Sequence, residues 1–361
     1  MAIRVLHVLN NLGSGGTEAF VMNVYRSIDR EKIQFDFLVR SNENGELVDE
    51  IKKMGGKVII QPSFPRHIMA NYRELKQFLK EHHSEYRAIH LHANALIYVK
   101  PIQIAKKYRI PIRIIHSHSV TSKYKVLHEI NMKRCSRWYT HSFACSINAG
   151  KWMFDKKEFK VINNGVDLKR FKYNFGIRKE LQKSYNIEDK TVIGHVGRFE
   201  SAKNHKFLIE VFRQYHLNNP NSVLLLIGDG QEKKNIEQIV EKYNLSKDVI
   251  FTGAVGNVED YLSAMDVFLF PSLWEGLGIV LIEAQANGLP CIISNVIPRE
   301  ACLSNYYYEI DLNENIEEWV EKIKYVSTLN IHRERISSKL KEFDIKMIAK
   351  KMENCYMDNI W

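Results

Sequence analysis

Short apolar runs, each about as long as a buried strand, recur along this chain and alternate with segments of helical period. In the first half, residues 3–10, Ile33 to Val39, Lys57 to Ile60, Ala88 to Leu91, Pro111 to Ile115, His141 to Ser146 and Phe159 to Ile162 read as strands. In the second, Thr191 to Val196, Val223 to Ile227, Val249 to Gly253, Asp266 to Phe270 and Cys291 to Ser294 repeat the pattern. Runs that are apolar on both faces belong to strands covered on both sides by helices. Helical periods fall between them, at Phe20 to Tyr25, Tyr72 to Phe78, Phe207 to Phe212, Ile316 to Val326 and Ile345 to Tyr356. This alternation predicts the α/β class with parallel, doubly wound sheets. A length of 361 residues suits two such domains. The polar stretch Tyr173 to Asp189 sets their boundary, giving domains 1–175 and 176–340 and a last helical segment 341–361.

Chemistry collects where strands run into glycines. Val267 to Phe270 is followed by Pro271-Ser272-Leu273-Trp274-Glu275-Gly276-Leu277-Gly278, and then by a helical segment from Ile279 that stops at Gly288-Leu289-Pro290. In open α/β sheets, ligands bind where such loops leave the carboxyl ends of the strands. Gly276 and Gly278 allow close backbone approach, and the free amides from Leu277 to Ile279 favour an anion such as a diphosphate. Glu275 lies in the loop, and Glu283 faces the same place from the helix. On residue type alone, both carboxylates read equally well as solvated charges. After the strand that opens the second domain, Arg198 and Lys203 stand five apart across a loop. Such a loop can fold both cations onto one diphosphate, or leave both in solvent.

After the first strand comes Asn10 to Glu18, with Gly13, Gly15 and Gly16. A dinucleotide fingerprint would have glycine where Glu18 stands and an acid closing the second strand, yet Asp36 sits inside that strand. Gly15 and Gly16 still permit an anion at the helix start. His90 and His92, and then His116 and His118, alternate on two strands. No acid or thiolate stands near them in sequence, so no metal is expected and either imidazole of the second pair could simply cap a strand end.

The stretch from Pro271 to Pro290, with its two glutamates separated by seven residues, resembles the signature of the GT-B glycosyltransferases of family 4. The resemblance implies two doubly wound, Rossmann-like domains facing a central cleft, with the last helix, in 341–361, returning to the first domain. It gives Glu275 the donor sugar's hydroxyls, Glu283 the nucleotide's ribose, and Arg198 with Lys203 the diphosphate. The loop Gly253-Ala254-Val255-Gly256 would hold the base by backbone contacts. Gly15-Gly16-x-Glu18 would border the acceptor and the transferred sugar, which His118, or failing it His116, would reach. Asn163-Asn164-Gly165-Val166-Asp167 resembles the turn that ends the first domain. The implied reaction is retaining transfer from a nucleotide sugar, UDP-linked, without metal or cofactor; Glu275 positions the sugar and does not attack it. The wording Glu-Gly-Leu-Gly-Ile-Val-Leu-Ile-Glu-Ala-Gln-Ala is most similar to bacterial capsule and exopolysaccharide enzymes, which implies a hexosyltransferase acting on a polyprenyl-diphosphate-linked oligosaccharide. Rivals are a UDP-sugar 2-epimerase, a sucrose-phosphate-synthase-like enzyme, and a non-catalytic scaffold.

Charge adds a partner. The net charge of +10 is uneven: residues 1–175 hold 30 Lys and Arg against 15 Asp and Glu, leaving 22 against 27 for the rest. An acidic partner of the first half is implied, whether nucleic acid, an anionic membrane or a phosphorylated substrate. Lys123, Lys125, Lys133, Arg134 and Arg137 mix with Tyr124, Val126, Leu127, Ile130 and Trp138, which suits a membrane surface or a lipid diphosphate. No helix-turn-helix, zinc or RNP pattern supports nucleic acid. Five cysteines without a C-x-x-C pair read as reduced core residues. With no apolar run of about 18 residues and a strand rather than a leader at Met1 to Leu6, the expected place is the cytoplasm, peripheral at the inner face of the plasma membrane.

Overall fold

A computed structural model describes residues 2–13, 15–40 and 47–357. Seven strands form the first sheet: β1 (Ile3–Leu9), β2 (Ile33–Val39), β3 (Val58–Ile60), β4 (Tyr86–Ala93), β5 (Ile112–Ser117), β6 (His141–Ala144) and β7 (Lys160–Val161). Six form the second: β8 (Thr191–Val196), β9 (Ser222–Ile227), β10 (Val249–Gly253), β11 (Val267–Phe270), β12 (Cys291–Ser294) and β13 (Tyr307–Ile310). The orders are β3-β2-β1-β4-β5-β6-β7 and β10-β9-β8-β11-β12-β13, with the assigned pairs parallel. Each sheet therefore starts in its middle, walks to one edge, and then crosses to the other side of its first strand. The reversal points lie between β1 and β4 and between β8 and β11, and these are the places where a doubly wound sheet opens a ligand crevice.

Alternation along the strands of the first sheet separates two cores. Val5 and Leu9 of β1, Ala88 of β4, and Ile112 and Ile114 of β5 pack with the helices Gly16–Ser27 and Ile345–Tyr356. Leu6, Val8, Ile89, Leu91 and Ile115 point the other way, toward the helices Ile68–His82 and Lys100–Lys107. In the second sheet every residue of β9 and of β11 is buried. β13 escaped the sequence reading because two of its four residues are only partly covered and Glu309 is exposed, so it carries no apolar run.

Chain contacts divide the molecule into Met1–Gly165 with Glu342–Trp361, and Val166–Lys341. The division falls ahead of residue 175 because the segment after Gly165 belongs with the second unit: Asn287 Nδ2 donates to the Phe171 carbonyl at 3.0 Å. Gly165 sits where the returning helix passes, and a Cβ there would lie 2.6 Å from Ile345 Cδ1. Asp36, fully buried, holds structure together: it pairs with Arg4, with Nε at 2.7 Å, and accepts from Tyr86 Oη at 3.1 Å and the Lys57 amide at 2.7 Å. Among the described residues no helix is long and apolar enough to cross a membrane.

Candidate functional site

At the reversal point of the second sheet, the loop after β8 meets the loop after β11. Lys203 Nζ lies 2.5 Å from Glu275 Oε1, both largely buried, and 5.1 Å from the Phe270 ring centroid. Ser272, fully buried, donates to the same carboxylate oxygen at 2.7 Å. A charge-assisted pair of this kind fixes both side chains far better than an exposed one. Gly278, at φ 79° and ψ 57°, turns the chain into the helix Ile279–Ala286, and no side chain caps that helix start. A left-handed residue there is cheap only for glycine. Leu277 is buried beneath the turn, whereas Gly276 faces open space.

Glu283, half-buried on that helix, accepts no hydrogen bond from the described residues; burial first, and then Glu259, push its pKa up to about 8, against the pull of Arg170. Arg170 itself donates to Glu259 Oε1 at 2.7 Å and to the Gly256 carbonyl at 2.5 Å. It therefore ties the loop containing Gly253 and Val255 to the neighbourhood of Glu283, a role the sequence reading missed. Gly253, at φ 74°, has nothing within 4 Å of where a Cβ would stand. Backbone packing explains the Gly228-Asp229-Gly230 turn. Gly197 N donates to the Ile227 carbonyl and Gly228 N to that of Gly253, both at 2.9 Å. A Cβ at Gly228 would strike the Gly197 carbonyl.

Arg198 is not brought to Lys203. Its side chain is 73% exposed and its Nε pairs with Glu200 Oε1 at 3.0 Å. His195 and His205, also missed, lie buried beside Lys203 with ring centroids 5.0 Å apart, and burial pushes His205 down to about 4.

The reversal point of the first sheet opens a pocket of about 470 Å³, lined by Gly15, Gly16, Glu18, Arg40, His92 and Lys123 among others. The carboxylate of Glu18 folds back over Gly15, leaving no room for a Cβ there, and burial raises its pKa. Arg40, at the end of the path from β2, lays its guanidinium 4.2 Å from the Tyr98 ring centroid. Its Nε is buried without a partner, and burial lowers its pKa. A buried cation without an acid beside it among the described residues is costly unless an anion joins it.

His118 and His116 belong to a larger group. β1, β4 and β5 place His7, His90, His92 and His116 side by side, with His7 opposite His90 and His92 opposite His116 in register, and His118 follows just past the end of β5. His7 Nδ1 meets His92 Nε2 at 3.0 Å, and His92 Nδ1 meets His118 Nε2 at 2.9 Å. In parallel, His90 Nε2 meets His116 Nδ1 at 3.3 Å, and His90 Nδ1 meets the Tyr356 hydroxyl at 2.8 Å. Burial holds His7 and His118 down to about 3 and the other three well below the usual range. Two triads, His7-His90-His92 and His92-His116-His118, have ligand atoms within 4.8 Å of one another, which the spacing along the sequence did not reveal. No carboxylate or thiolate joins either triad among the described residues.

Residues 14–170 match the model of the Glycosyltransferase Family 4 domain, and residues 177–343 that of Glycosyl transferases group 1. EpsF of Bacillus subtilis (strain 168) is 33% identical over 335 residues, covering 89% of this chain and 86% of that protein. The UDP-Gal:alpha-D-GlcNAc-diphosphoundecaprenol alpha-1,3-galactosyltransferase of Escherichia coli is 27% identical over 390 residues, covering 99% and 97%. Among solved structures, Anabaena HepE in complex with UDP and glucose superposes with a TM-score of 0.77 at 18% identity, over 99% of this chain and 100% of that one. A glycosyltransferase from Rickettsia africae ESF-5 reaches 0.82 at 17%, over 99% and 98%. Strand order, matched domains and relatives agree: this chain belongs to the GT-B glycosyltransferases, with a family 4 module in its first half and a group 1 module in its second.

Proposed function

We propose that the protein moves a hexosyl group, with retention of configuration, from a UDP-sugar to a polyprenyl-diphosphate-linked oligosaccharide in capsule, exopolysaccharide or O-antigen assembly. The observation that carries this reading is the buried Lys203–Glu275 pair at the reversal point of the second sheet, with the unpartnered Glu283 nearby. A diphosphate arriving at the loop takes over Lys203 and releases Glu275 for the sugar's hydroxyls. Glu283, short of hydrogen-bond donors, takes the ribose diol, and the backbone of Gly253 and Val255 takes the base. Arg198 leaves Glu200 to join the diphosphate, and the amides from Gly276 to Ile279 complete its surroundings. These groups neutralise the leaving diphosphate, so neither metal nor cofactor is called for; one such preorganised donor is worth roughly 10²–10³ in rate. His118 addresses the sugar, and Glu275 positions it. The donor and acceptor named for the Escherichia coli relative support the same pairing of substrates.

The acceptor's anionic head suits the first unit's pocket, where Gly15 and Gly16 leave room beside Arg40 and Lys123. Next to it the helix Lys125–Cys135 buries only His128 and Cys135 and turns Val126 (72% exposed), Leu127 and Ile130 outward among Lys123, Lys125, Lys133 and Arg134. An apolar face ringed by lysines fits an anionic membrane surface, each basic residue adding on the order of 1 kcal/mol. The site of action is then the inner face of the plasma membrane.

Calorimetric titration of UDP, GDP and ADP, with and without EDTA, tests the donor half. The expected result is selective, EDTA-insensitive binding of UDP that Lys203→Ala weakens by roughly 1.5–3 kcal/mol. Unchanged affinity in Lys203→Ala removes the diphosphate from this loop. For the acceptor half, replacing Lys123, Lys125, Lys133, Arg134 and Arg137 together should lower liposome binding and lipid-acceptor turnover; no change in either rules out the membrane reading.

A further inference from the structure

Five histidines on one face of a sheet are more than glycosyl transfer calls for, and their hydrogen bonds are directional. In the run His7–His92–His118, both nitrogens of His92 are occupied, one by each neighbour. At the inner end, His7 Nε2 is buried with no partner, against Phe35 at a centroid distance of 4.0 Å. At the outer end, His118 Nδ1 is not among the buried unpartnered atoms, and the residue is partly exposed. Burial keeps every ring neutral, so each carries one proton.

A neutral imidazole donates from one nitrogen and accepts at the other. The two bridging protons must therefore point the same way along the run, inward or outward. Inward, His118 Nε2–H donates to His92, His92 Nε2–H donates to His7, and His7 is left with an N–H buried and unpaired. Outward, His7 Nδ1–H donates to His92 Nε2, His92 Nδ1–H donates to His118 Nε2, and His7 is left with only an unused lone pair. Orphaned buried donors are the rarer and costlier of the two, and an N–H directed at the Phe35 ring would recover little.

We infer that His7 and His92 are positioning residues that lock His118 as the Nδ1–H tautomer, so that it presents a fixed N–H donor at the partly exposed end of the run. This is the tautomer that free histidine disfavours in water. Its use rests on the reading above that gives His118 to the transferred sugar: a locked donor can bind a sugar oxygen at any pH at which the ring stays neutral, and cannot accept a proton from it.

The test is 15N NMR of the histidine side chains in the intact protein, which separates protonated from unprotonated ring nitrogens, combined with donor kinetics. In the wild type, His118 should show a protonated Nδ1 and a bare Nε2. His92→Phe keeps a flat ring and removes both hydrogen bonds. It should return His118 to the Nε2–H form and lower kcat by roughly 10²–10³, the cost of one lost preorganised donor, with the donor KM little changed. A wild-type His118 protonated at Nε2 overturns the lock without any variant, as does a tautomer that survives in His92→Phe. Stoichiometric zinc in the purified protein, bound through the His92-His116-His118 triad, also overturns it. A tautomer that switches while kcat holds leaves the lock standing and removes His118 from the sugar, so the two readings fail separately.

Discussion

The two sheets share a strand order and a reversal point, yet they furnish that point with opposite chemistry. The first places its polar groups on strands β1, β4 and β5 and, with His118, just past the end of β5, where alternation turns the strand-borne ones onto a dry face as neutral imidazoles. The second places a charged pair, Lys203 and Glu275, at its loops, and a raised carboxyl, Glu283, on the helix that follows. Strand-borne groups are held in one arrangement by the ladder. Loop-borne groups can exchange partners, as the proposed release of a diphosphate requires. The shared architecture therefore decides where ligands bind, while the element carrying each side chain decides whether it is fixed or exchangeable.

Acid should separate the two units most. A histidine whose folded pKa lies below its unfolded value of 6.5 leaves the native state with fewer protons than the unfolded one. Stability is then full above pH 6.5 and falls as the pH drops toward about 3, by about 1.4 kcal/mol per unit for each group. Five such residues face one another in the first unit, against His195 and His205 in the second. Hydrogen exchange between pH 7 and 5 should show the first sheet losing protection before the second. Earlier loss from β8, β9 and β11 would break the comparison.

Arg333 provides the next effect, confined to the second unit. It donates to the carbonyls of Leu262 at 2.8 Å and Met265 at 2.7 Å, around the end of the helix Val258–Ala264, and also pairs with Asn287. Burial lowers its pKa to about 10. Arg333→Ala takes the donor from the Leu262 carbonyl and Asn287 Oδ1, while Arg178 Nη1 still serves Met265 at 3.0 Å, and should cost roughly 2–5 kcal/mol in urea unfolding followed in the second unit. A loss below about 1 kcal/mol would show that water replaces it.

Glu283→Gln comes third and cuts both ways. A carboxyl raised to about 8 gives the native state a proton that the unfolded state gives up from its ordinary 4.5 upward, so stability declines as pH rises between those values. The amide removes that decline, so Tm at pH 8.5 should exceed the wild type's, while UDP affinity falls by roughly 1.5–3 kcal/mol. Unchanged affinity would detach Glu283 from the nucleotide. Arg198→Ala should do least to stability, because its pair with Glu200 is exposed and such pairs contribute under about 1 kcal/mol. Its loss of UDP affinity should also be smaller than that of Lys203→Ala; equal losses would mean that Arg198 swings fully onto the diphosphate.

What the sequence disclosed follows the same divide. Strands buried on both faces announce themselves as apolar runs, and only half-covered β13 stayed hidden. The second unit's candidate residues Glu275, Gly276, Gly278 and Glu283 could be grouped in advance because they fall within one stretch, from the loop after β11 into the helix Ile279–Ala286. The imidazole run could not be, because its members come from three strands: His7 and His92 lie 85 residues apart. His7 offers no local signal, although two alternating histidine pairs on strands that pair side by side were a hint. Arg170 stayed hidden for a like reason. It follows a turn read as architectural, and its partner Glu259 is 89 residues away. Arg40 follows the last residue of β2 with no motif around it to single it out.

The helix Ile345–Tyr356 packs Ile348, Met352 and Tyr356 into the first unit's core, and Tyr356 reaches His90. A ribosome thus delivers every strand of both sheets before the piece that closes the first. At roughly 5–20 residues per second, the stretch from Gly165 to Tyr356 takes about 10–40 s to appear. The half of the chain that is made first is the last to mature. Until then its imidazole face is open to chaperones and to any metal ion in the cell, while the uninterrupted second unit can already be complete.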